Sequence, residues 1–276
     1  MARAPEACIL CGSADRTLLF RQDEWTVFKC SGCDLGFLDP RPTADELGRY
    51  YERTYFDSHY DKGLRRDSAE MRKRLSQEKH RISFFRPLKP RGRILDIGCG
   101  MGYFLYACSL KGYEAEGMDI SDVSTAYIRS ELGLQVKTGV AGTVDFEEGS
   151  FDIVTMWHFL EHSPDPRDYL SSAWKWLKGD GILVVDVPNH EGTDARMRGA
   201  GWRDWDLPYH LYHFTPKTLV RLLSLHGFDI LRTKHYHSEV VKERLARIPV
   251  VGLFARLIAK AYSGGSYAVV AKKNVL

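Results

Sequence analysis

Cys8-Ile-Leu-Cys11 and Cys30-Ser-Gly-Cys33 are two C-x-x-C pairs separated by Gly12 to Lys29, a gap that one or two β-hairpins would fill. Thiolates at that spacing suit the tetrahedral coordination of zinc in a ribbon. Gly12 follows the first pair and Gly32 lies inside the second, which provides the tight turns that aim two sulfurs at one ion. Four sulfurs close the coordination sphere, so the expected metal is structural and leaves no open position for catalysis. Four unrelated cysteines would be a coincidence of two matched pairs. A thioredoxin-like redox role is disfavoured because neither pair opens a strand-to-helix unit.

A second candidate lies in Ile94-Leu95-Asp96-Ile97-Gly98-Cys99-Gly100-Met101-Gly102. Glycines at 98, 100 and 102 let the backbone pass close to a ligand, and the amides opening the next helix point into the same crevice. Such a turn cradles either a dinucleotide or S-adenosylmethionine. The dinucleotide fingerprint G-x-G-x-x-G requires a third glycine where this chain has Tyr103. That departure, with the acidic Asp96 before the first glycine, favours the methyl donor. Gly117-Met-Asp119-Ile120-Ser121 adds a carboxylate about 20 residues after Gly98, where it can accept both ribose hydroxyls. Asp119 as a helix N-cap is the plainer alternative, but Ser121 is the better-placed cap.

The elements that must position these groups follow from pattern. Apolar runs suited to buried strands occur at 93–97, 114–119, 135–138, 151–157 and 181–187, with helix-like stretches at 103–110, 123–132 and 166–177 between them. Two more strands are expected at 228–235 and 267–272. This alternation predicts a parallel sheet with crossover helices. Upstream, Asp39-Pro40-Arg41-Pro42 ends the ribbon, and Thr43 followed three residues later by Glu46 reads as a capping box that starts a helical connector. A charged helix from Ser68 to Arg86 ends before Pro87 and Pro90. The expected organisation is a zinc ribbon over 1–40, a connector over 41–90 and a cofactor-binding domain over 91–276.

These ordered motifs resemble those of the class I S-adenosylmethionine-dependent methyltransferases, especially the small-molecule branch with the ubiquinone-biosynthesis O-methyltransferases. The resemblance covers roughly 91–273. It includes Gly149-Ser-Phe-Asp-Ile-Val-Thr-Met156-Trp157-His158-Phe-Leu-Glu161-His162-Ser-Pro-Asp-Pro166, Leu177-Lys-Gly-Asp-Gly-Ile-Leu183, His213-Phe-Thr-Pro-Lys-Thr-Leu219 and His226-Gly-Phe228. It implies an α/β fold: a doubly wound, seven-stranded, mostly parallel sheet with a reversed last strand, here carrying a small N-terminal zinc-ribbon domain. It also implies that Asp96, Gly98, Gly100 and Gly102 face the methionine part of S-adenosylmethionine, with Cys99, Tyr103 and Phe104 alongside. Asp119 and Ile120 would meet the ribose, Val140 and Ala141 the adenine edge, and Met156, Trp157 and His158 the rim below the sulfonium. Tyr103 and Trp157 have a plainer reading as core aromatics.

Methyl transfer from a sulfonium depends chiefly on positioning, and a base is needed only when the acceptor is a hydroxyl or an acidic carbon. Histidine suits that role because its pKa lies near working pH. His162, His210 and His213 are the candidate bases. Glu161 and His162 could instead hold a divalent ion, but no third ligand is evident in the sequence. The segment 189–207, with Trp202 and Trp205, reads as a mobile lid or platform over the pocket, or as a surface loop anchored by its two tryptophans. The stretch 247–262 reads as a packed amphipathic helix more than as a membrane anchor, with a lipid-linked acceptor at a membrane surface as the less favoured alternative.

Charge narrows the partners. The 39 basic and 36 acidic residues leave a net charge of +3, too little field for tight nonspecific binding of a nucleic acid. The basic stretch 62–93 reads as a solvated helix face, with a phosphate-bearing partner as its alternative. Met1 to Glu6 lacks the apolar run of a signal peptide, and no stretch reaches the length of a membrane span, so a cytoplasmic protein with reduced thiols is expected. The expected partner is a small-molecule methyl acceptor such as a sugar, glycolipid or secondary metabolite. An RNA methyltransferase docking through its ribbon is the enzymatic alternative, opposed by Trp-His-Phe-Leu standing where base methylases carry an Asn-Pro-Pro-Tyr-like motif. A non-catalytic ribbon-bearing binding protein is opposed by the intact acid and glycine positions.

Overall fold

The computed structural model describes residues 7–43, 46 and 63–274. Eleven strands of these residues form two sheets. The larger has seven strands: β4 (Arg93–Ile97), β5 (Glu114–Asp119), β6 (Gln135–Thr138), β7 (Phe151–Trp157), β8 (Leu177–Pro188), β10 (Phe228–His237) and β11 (Ser263–Lys273). Their order across the sheet is β10-β11-β8-β7-β4-β5-β6. The pairs β4/β5, β5/β6, β4/β7 and β7/β8 are parallel, and β11 runs antiparallel between β8 and β10. The chain starts in the middle, winds outward through β5 and β6, then returns to lay β7 beside β4. That reversal opens a crevice at the carboxyl ends of β4 and β7, where doubly wound sheets bind their ligands.

Helices cover both faces. On one side, α1 (Ala69–Phe85) and α2 (Tyr103–Ser109) bury Ile82, Phe85, Phe104 and Ala107 against Ile94, Ile153, Ile182 and Val184. The strand residues of opposite parity, Leu95, Val154, Met156, Leu183 and Val185, face the other side. There they meet α4 (Pro166–Trp176) and α6 (Pro216–Leu225), which supply Leu170, Ala173, Leu219 and Leu222. The caps are chemical: Ser68 accepts from the Met71 amide, Asp165 caps a helix with Pro at its start, and Thr215 with Thr218 forms a capping box. The Ser121 hydroxyl caps α3 (Asp122–Tyr127), which continues as a π turn over Ile128–Leu132.

The smaller sheet has the order β1 (Arg16–Gln22), β2 (Trp25–Cys30), β3 (Gly36–Leu38), β9 (Tyr212–His213). Its fourth strand comes from far downstream, and Gly36 pairs with His213 and Phe37 with Tyr212. The hydrophobic cluster is accordingly continuous from Cys8, Val27 and Leu38 through Trp205, Tyr212 and Phe214 to Leu219. Of the expected connector, the Thr43–Glu46 capping contacts are present and α1 occupies the second half. Residues 44–45 and 47–62 lie outside the described residues.

Two segments narrow or change their sequence reading. The 189–207 stretch forms α5 (Thr193–Arg198) and short turns, and Trp202 and Trp205 are buried; Trp205 stacks on Phe20 of the ribbon at 4.3 Å. Two large rings packed in the core anchor this segment, as in the second of its two sequence readings. The stretch 247–262 is broken at Pro249 and forms only short turns and α8 (Ala255–Ala259), with its large apolar side chains exposed.

Candidate active site

At the end of β4, Gly98, Gly100 and Gly102 have φ of 71°, 52° and 71°. A Cβ at Gly98 would lie 2.2 Å from the Phe159 ring, and one at Gly102 would lie 2.7 Å from Ile128, so the turn fits only glycine at these points. Asp119 closes the loop from β5: one carboxylate oxygen accepts the Gly100 amide at 2.7 Å and the other the Ser121 amide at 2.9 Å.

A cleft of about 190 Å³ opens beside this turn, lined by Asp96, Gly98 to Met101, Tyr103, Phe104 and Trp157 and by three residues of α1, Arg74, Glu78 and Arg81. The Asp96 carboxylate is buried and accepts from Thr155 Oγ1 at 2.5 Å. Desolvation raises its pKa to about 7, against the Thr155 hydrogen bond. Glu78, also buried, pairs with Arg74 at 2.5 Å and with Arg81 at 3.0 Å, and Arg81 lies over the Trp157 ring at 5.1 Å. Arg81 Nε and Trp157 Nε1 are buried without a hydrogen-bond partner. Two carboxylates and two guanidinium groups with donors to spare match the zwitterionic end of an amino acid, and the residues fit S-adenosylmethionine: its ammonium toward Asp96 and Glu78, its carboxylate toward Arg81.

The α1 trio was not found by reading the sequence. A signal was present, because Glu78 occupies the buried stripe Met71, Leu75, Glu78, Ile82, Phe85, where a charge requires a partner or a ligand.

The structure brings Asp96, Gly98, Cys99, Gly100, Tyr103, Phe104 and Trp157 together around one cleft, while Gly102 packs behind the turn against Ile128. Asp119 joins them through Gly100, and Ile120 beside it is 60% exposed, an apolar surface open to a ligand. Val140 and Ala141 lie half-buried after β6. Met156 is elsewhere: alternation along β7 turns it into the core with Leu95 and Val185, on the face opposite Trp157.

The histidines separate more sharply. His213 sits in β9, 2% exposed and edge-on to Trp205 at 5.1 Å, and burial pulls its pKa well down. It packs between the ribbon and the large sheet, away from the cleft lining. His210 is buried, its Nδ1 bonded to the Asp204 carbonyl at 2.8 Å and its ring edge-on to His162 at 4.5 Å. The His162 Nδ1 meets the Tyr209 carbonyl at 3.2 Å, and desolvation with the His210 charge lowers its pKa to about 3. His158, read from the sequence as part of the cofactor rim, follows Trp157 directly with φ 52°, and its side chain is 38% exposed. Its Nδ1 lies 3.3 Å from Glu161 Oε1. Burial opposes its charge, but Asp186 and Glu161 outweigh that and raise its pKa to about 9.

In the ribbon, Cys8 and Cys33 Sγ are 3.5 Å apart and Cys11 and Cys30 Sγ 3.4 Å, and all four sulfurs lie within 4.8 Å of one another. With Zn–S bonds of about 2.3 Å a tetrahedral site has sulfurs about 3.8 Å apart, so the four thiols fit a structural zinc. Burial, with the neighbouring thiols, pushes the Cys8 and Cys33 thiols up, and a cation at the centre is what would ionise them.

A family model described as a methyltransferase domain matches residues 68–233, more than half of the chain. The chain belongs to this methyltransferase family. Among curated relatives, a ubiquinone biosynthesis O-methyltransferase of Idiomarina loihiensis is 28% identical over 142 residues, covering 47% of this chain and 58% of that protein. A probable S-adenosylmethionine-dependent methyltransferase of Mycolicibacterium smegmatis is 24% identical, covering 50% and 52%. The chain thus spans about half the length of the curated relatives it matches. Among solved structures, a SAM-dependent methyltransferase from Archaeoglobus fulgidus superposes with a TM-score of 0.54 at 24% identity, covering 74% of this chain and 94% of that one. Another, from Thermotoga maritima, gives 0.52 at 20% identity, covering 83% and 95%. These likenesses establish the class I methyltransferase fold.

Proposed function

We propose that this protein transfers a methyl group from S-adenosylmethionine to a hydroxyl of a small molecule, with His158 as the general base in place of His162, His210 and His213. One observation carries the choice of base. Of these four histidines, His158 follows Trp157 of the cleft lining directly in sequence, and it joins an exposed side chain to an Nδ1 that lies 3.3 Å from a carboxylate oxygen. His162 and His210 spend Nδ1 on carbonyls and are braced ring against ring.

When bound, S-adenosylmethionine would supply an electrophilic methyl group with a neutral thioether as its leaving group. The chain's part is to hold and deprotonate. Arg81, Glu78 and Asp96 fix the amino-acid end, Asp119 fixes the opposite half, and Trp157 closes the floor between them. Glu161 accepts from Nδ1–H, which leaves Nε2 of neutral His158 to take the acceptor's proton. Glu161 then stabilises the imidazolium.

The test is turnover of a labelled methyl group onto a small-molecule extract by the zinc-replete chain, with calorimetry for cofactor binding. Loss of turnover in His158→Ala with cofactor affinity retained supports the assignment. Full activity in that variant, or no cofactor binding by the unaltered protein, overturns it.

A second reading rests on a different observation. Glu161, His162 and His210 each place a ligand atom within 4.8 Å of the others, and Glu161 Oε2, the oxygen turned away from His158, is buried without a hydrogen-bond partner. His210 is the third ligand missing from the sequence reading, and the trio would hold a divalent ion orienting the acceptor oxygen. Metal analysis separates the two: one ion per chain favours the histidine brace, two favour the ion.

A further inference from the structure

Between β10 and β11 the chain forms α7 (Glu239–Ala246), a single turn at Val251–Phe254 and α8. Helix α8 is inside out for a water-facing surface. It buries Ala255 and Ala259, 3% and 0% exposed, and turns Leu257 outward at 66%. Leu253 and Val250 are 84% and 74% exposed, and Phe254 and Ile248 follow at 55% and 47%. Elsewhere the exposed apolar residues, such as Leu18, Leu110 and Val123, belong to separate elements, as on ordinary surfaces. Five in ten consecutive positions form a patch of the kind that marks an interaction site.

The charges around it are one-sided. Arg244, Arg247, Arg256 and Lys260 border the patch, and among the described residues none of the four pairs with a carboxylate. The nearby acids are already engaged: Glu239 with Lys242 and His237, Glu243 with Arg198. Unpaired cations around protruding apolar side chains complement an anionic lipid surface, with the apolar groups entering the acyl boundary and the cations meeting phosphates. A self-association face would leave those cations facing each other. No helix of the described residues is long and apolar enough to cross a membrane, so the segment would lie on a bilayer. Its position is also suited to function. Since β10 and β8 both run antiparallel to β11, the segment leaves the sheet at the carboxyl edge, where the glycine turn and His158 stand.

We propose that residues 247–260 are a docking surface for an anionic membrane, holding the acceptor side of the crevice against the lipid headgroups. Docking of this kind is independent of which atom is methylated. The test is co-sedimentation of the full zinc-replete chain with vesicles of phosphatidylcholine alone or with phosphatidylglycerol added. The chain should pellet with the anionic vesicles and release at high salt. Leu253→Asp with Leu257→Asp should weaken binding about ten-fold or more, and Arg256→Glu with Lys260→Glu should do so while leaving cofactor binding unchanged. Equal pelleting of the variants and the unaltered chain overturns the proposal. So does absence of vesicle binding, or a stable dimer that Leu253→Asp dissolves without any effect on vesicles.

Discussion

Glu161 holds His158 at Nδ1, and the pair makes a prediction about pH that a purely structural glutamate would not. A base must be neutral to accept a proton, and His158 carries a pKa raised to about 9, so kcat/KM should climb with pH up to about 9. Glu161→Gln removes one of the negative charges that favour the imidazolium. The rising limb should then move to lower pH by about one unit, together with a fall in the plateau. An unmoved limb would remove Glu161 from any positioning role. Asp96 makes a different prediction. Its folded pKa of about 7 lies above the ordinary value of 3.8, so the folded state binds the extra proton between those values. Its contribution to stability is therefore present below about pH 4 and is lost as pH rises to about 7. Asp96→Asn keeps the shape and the Thr155 contact without the buried charge. At pH 8 the cofactor-free variant should resist denaturant better than the unaltered chain, while its affinity for S-adenosylmethionine falls about ten-fold or more. Denaturant titrations at pH 5 and pH 8, with calorimetry, check both halves; a variant that is less stable at pH 8 would contradict the buried-charge account.

At the scale of elements, legibility followed the range of the signal. The strands at 93–97 and 151–157 emerge at the bounds read from the sequence, because a strand buried on both faces is a mostly apolar run bounded by turn residues; 114–119 and 135–138 emerge at their bounds too, although Glu114, Glu116, Gln135 and Lys137 interrupt them. The glycine turn was readable for the same local reason. Strand β9 was not, since two residues carry no periodicity and their partners, Gly36 and Phe37, are far away in sequence. That omission also misplaced His213, read as a candidate base when it is a pairing residue of a small sheet. Glu78 was hidden among the charges of α1, and only its place in the buried stripe distinguished it. The β3/β9 seam is testable at Gly36, where a Cβ would stand 2.8 Å from the His213 Cβ and 3.1 Å from the His213 carbonyl oxygen. Gly36→Ala should destabilise by about 1–3 kcal/mol, as overpacking of a closed site does, and the loss should register in denaturant unfolding. An unchanged midpoint would mean that the two strands separate at little cost.

At the scale of the whole molecule, that seam makes the zinc a support for the crevice as well as for the ribbon. The Leu38 amide donates to the Leu211 carbonyl at 2.9 Å, and the Leu211 amide donates to the Glu161 carbonyl at 2.7 Å. Arg41 reaches the Tyr212 hydroxyl and, at 3.2 Å, the Pro164 carbonyl. A short run of hydrogen bonds thus leads from the cysteine-bearing hairpins to the loop that holds Glu161 and, through it, His158. The shared core from Cys8 to Leu219 adds apolar contact along the same path. Removal of the metal by a chelator should therefore lower the melting temperature of the chain as one transition, since the ribbon has no separate core in which to unfold alone. It should also reduce methyl transfer more than cofactor binding, because β4, the glycine turn and α1 are not part of the run while Glu161 is. Cys11→Ser should reproduce both effects without a chelator. Two well-separated melting transitions, or turnover that survives loss of the metal, would show that the ribbon and the crevice are mechanically independent.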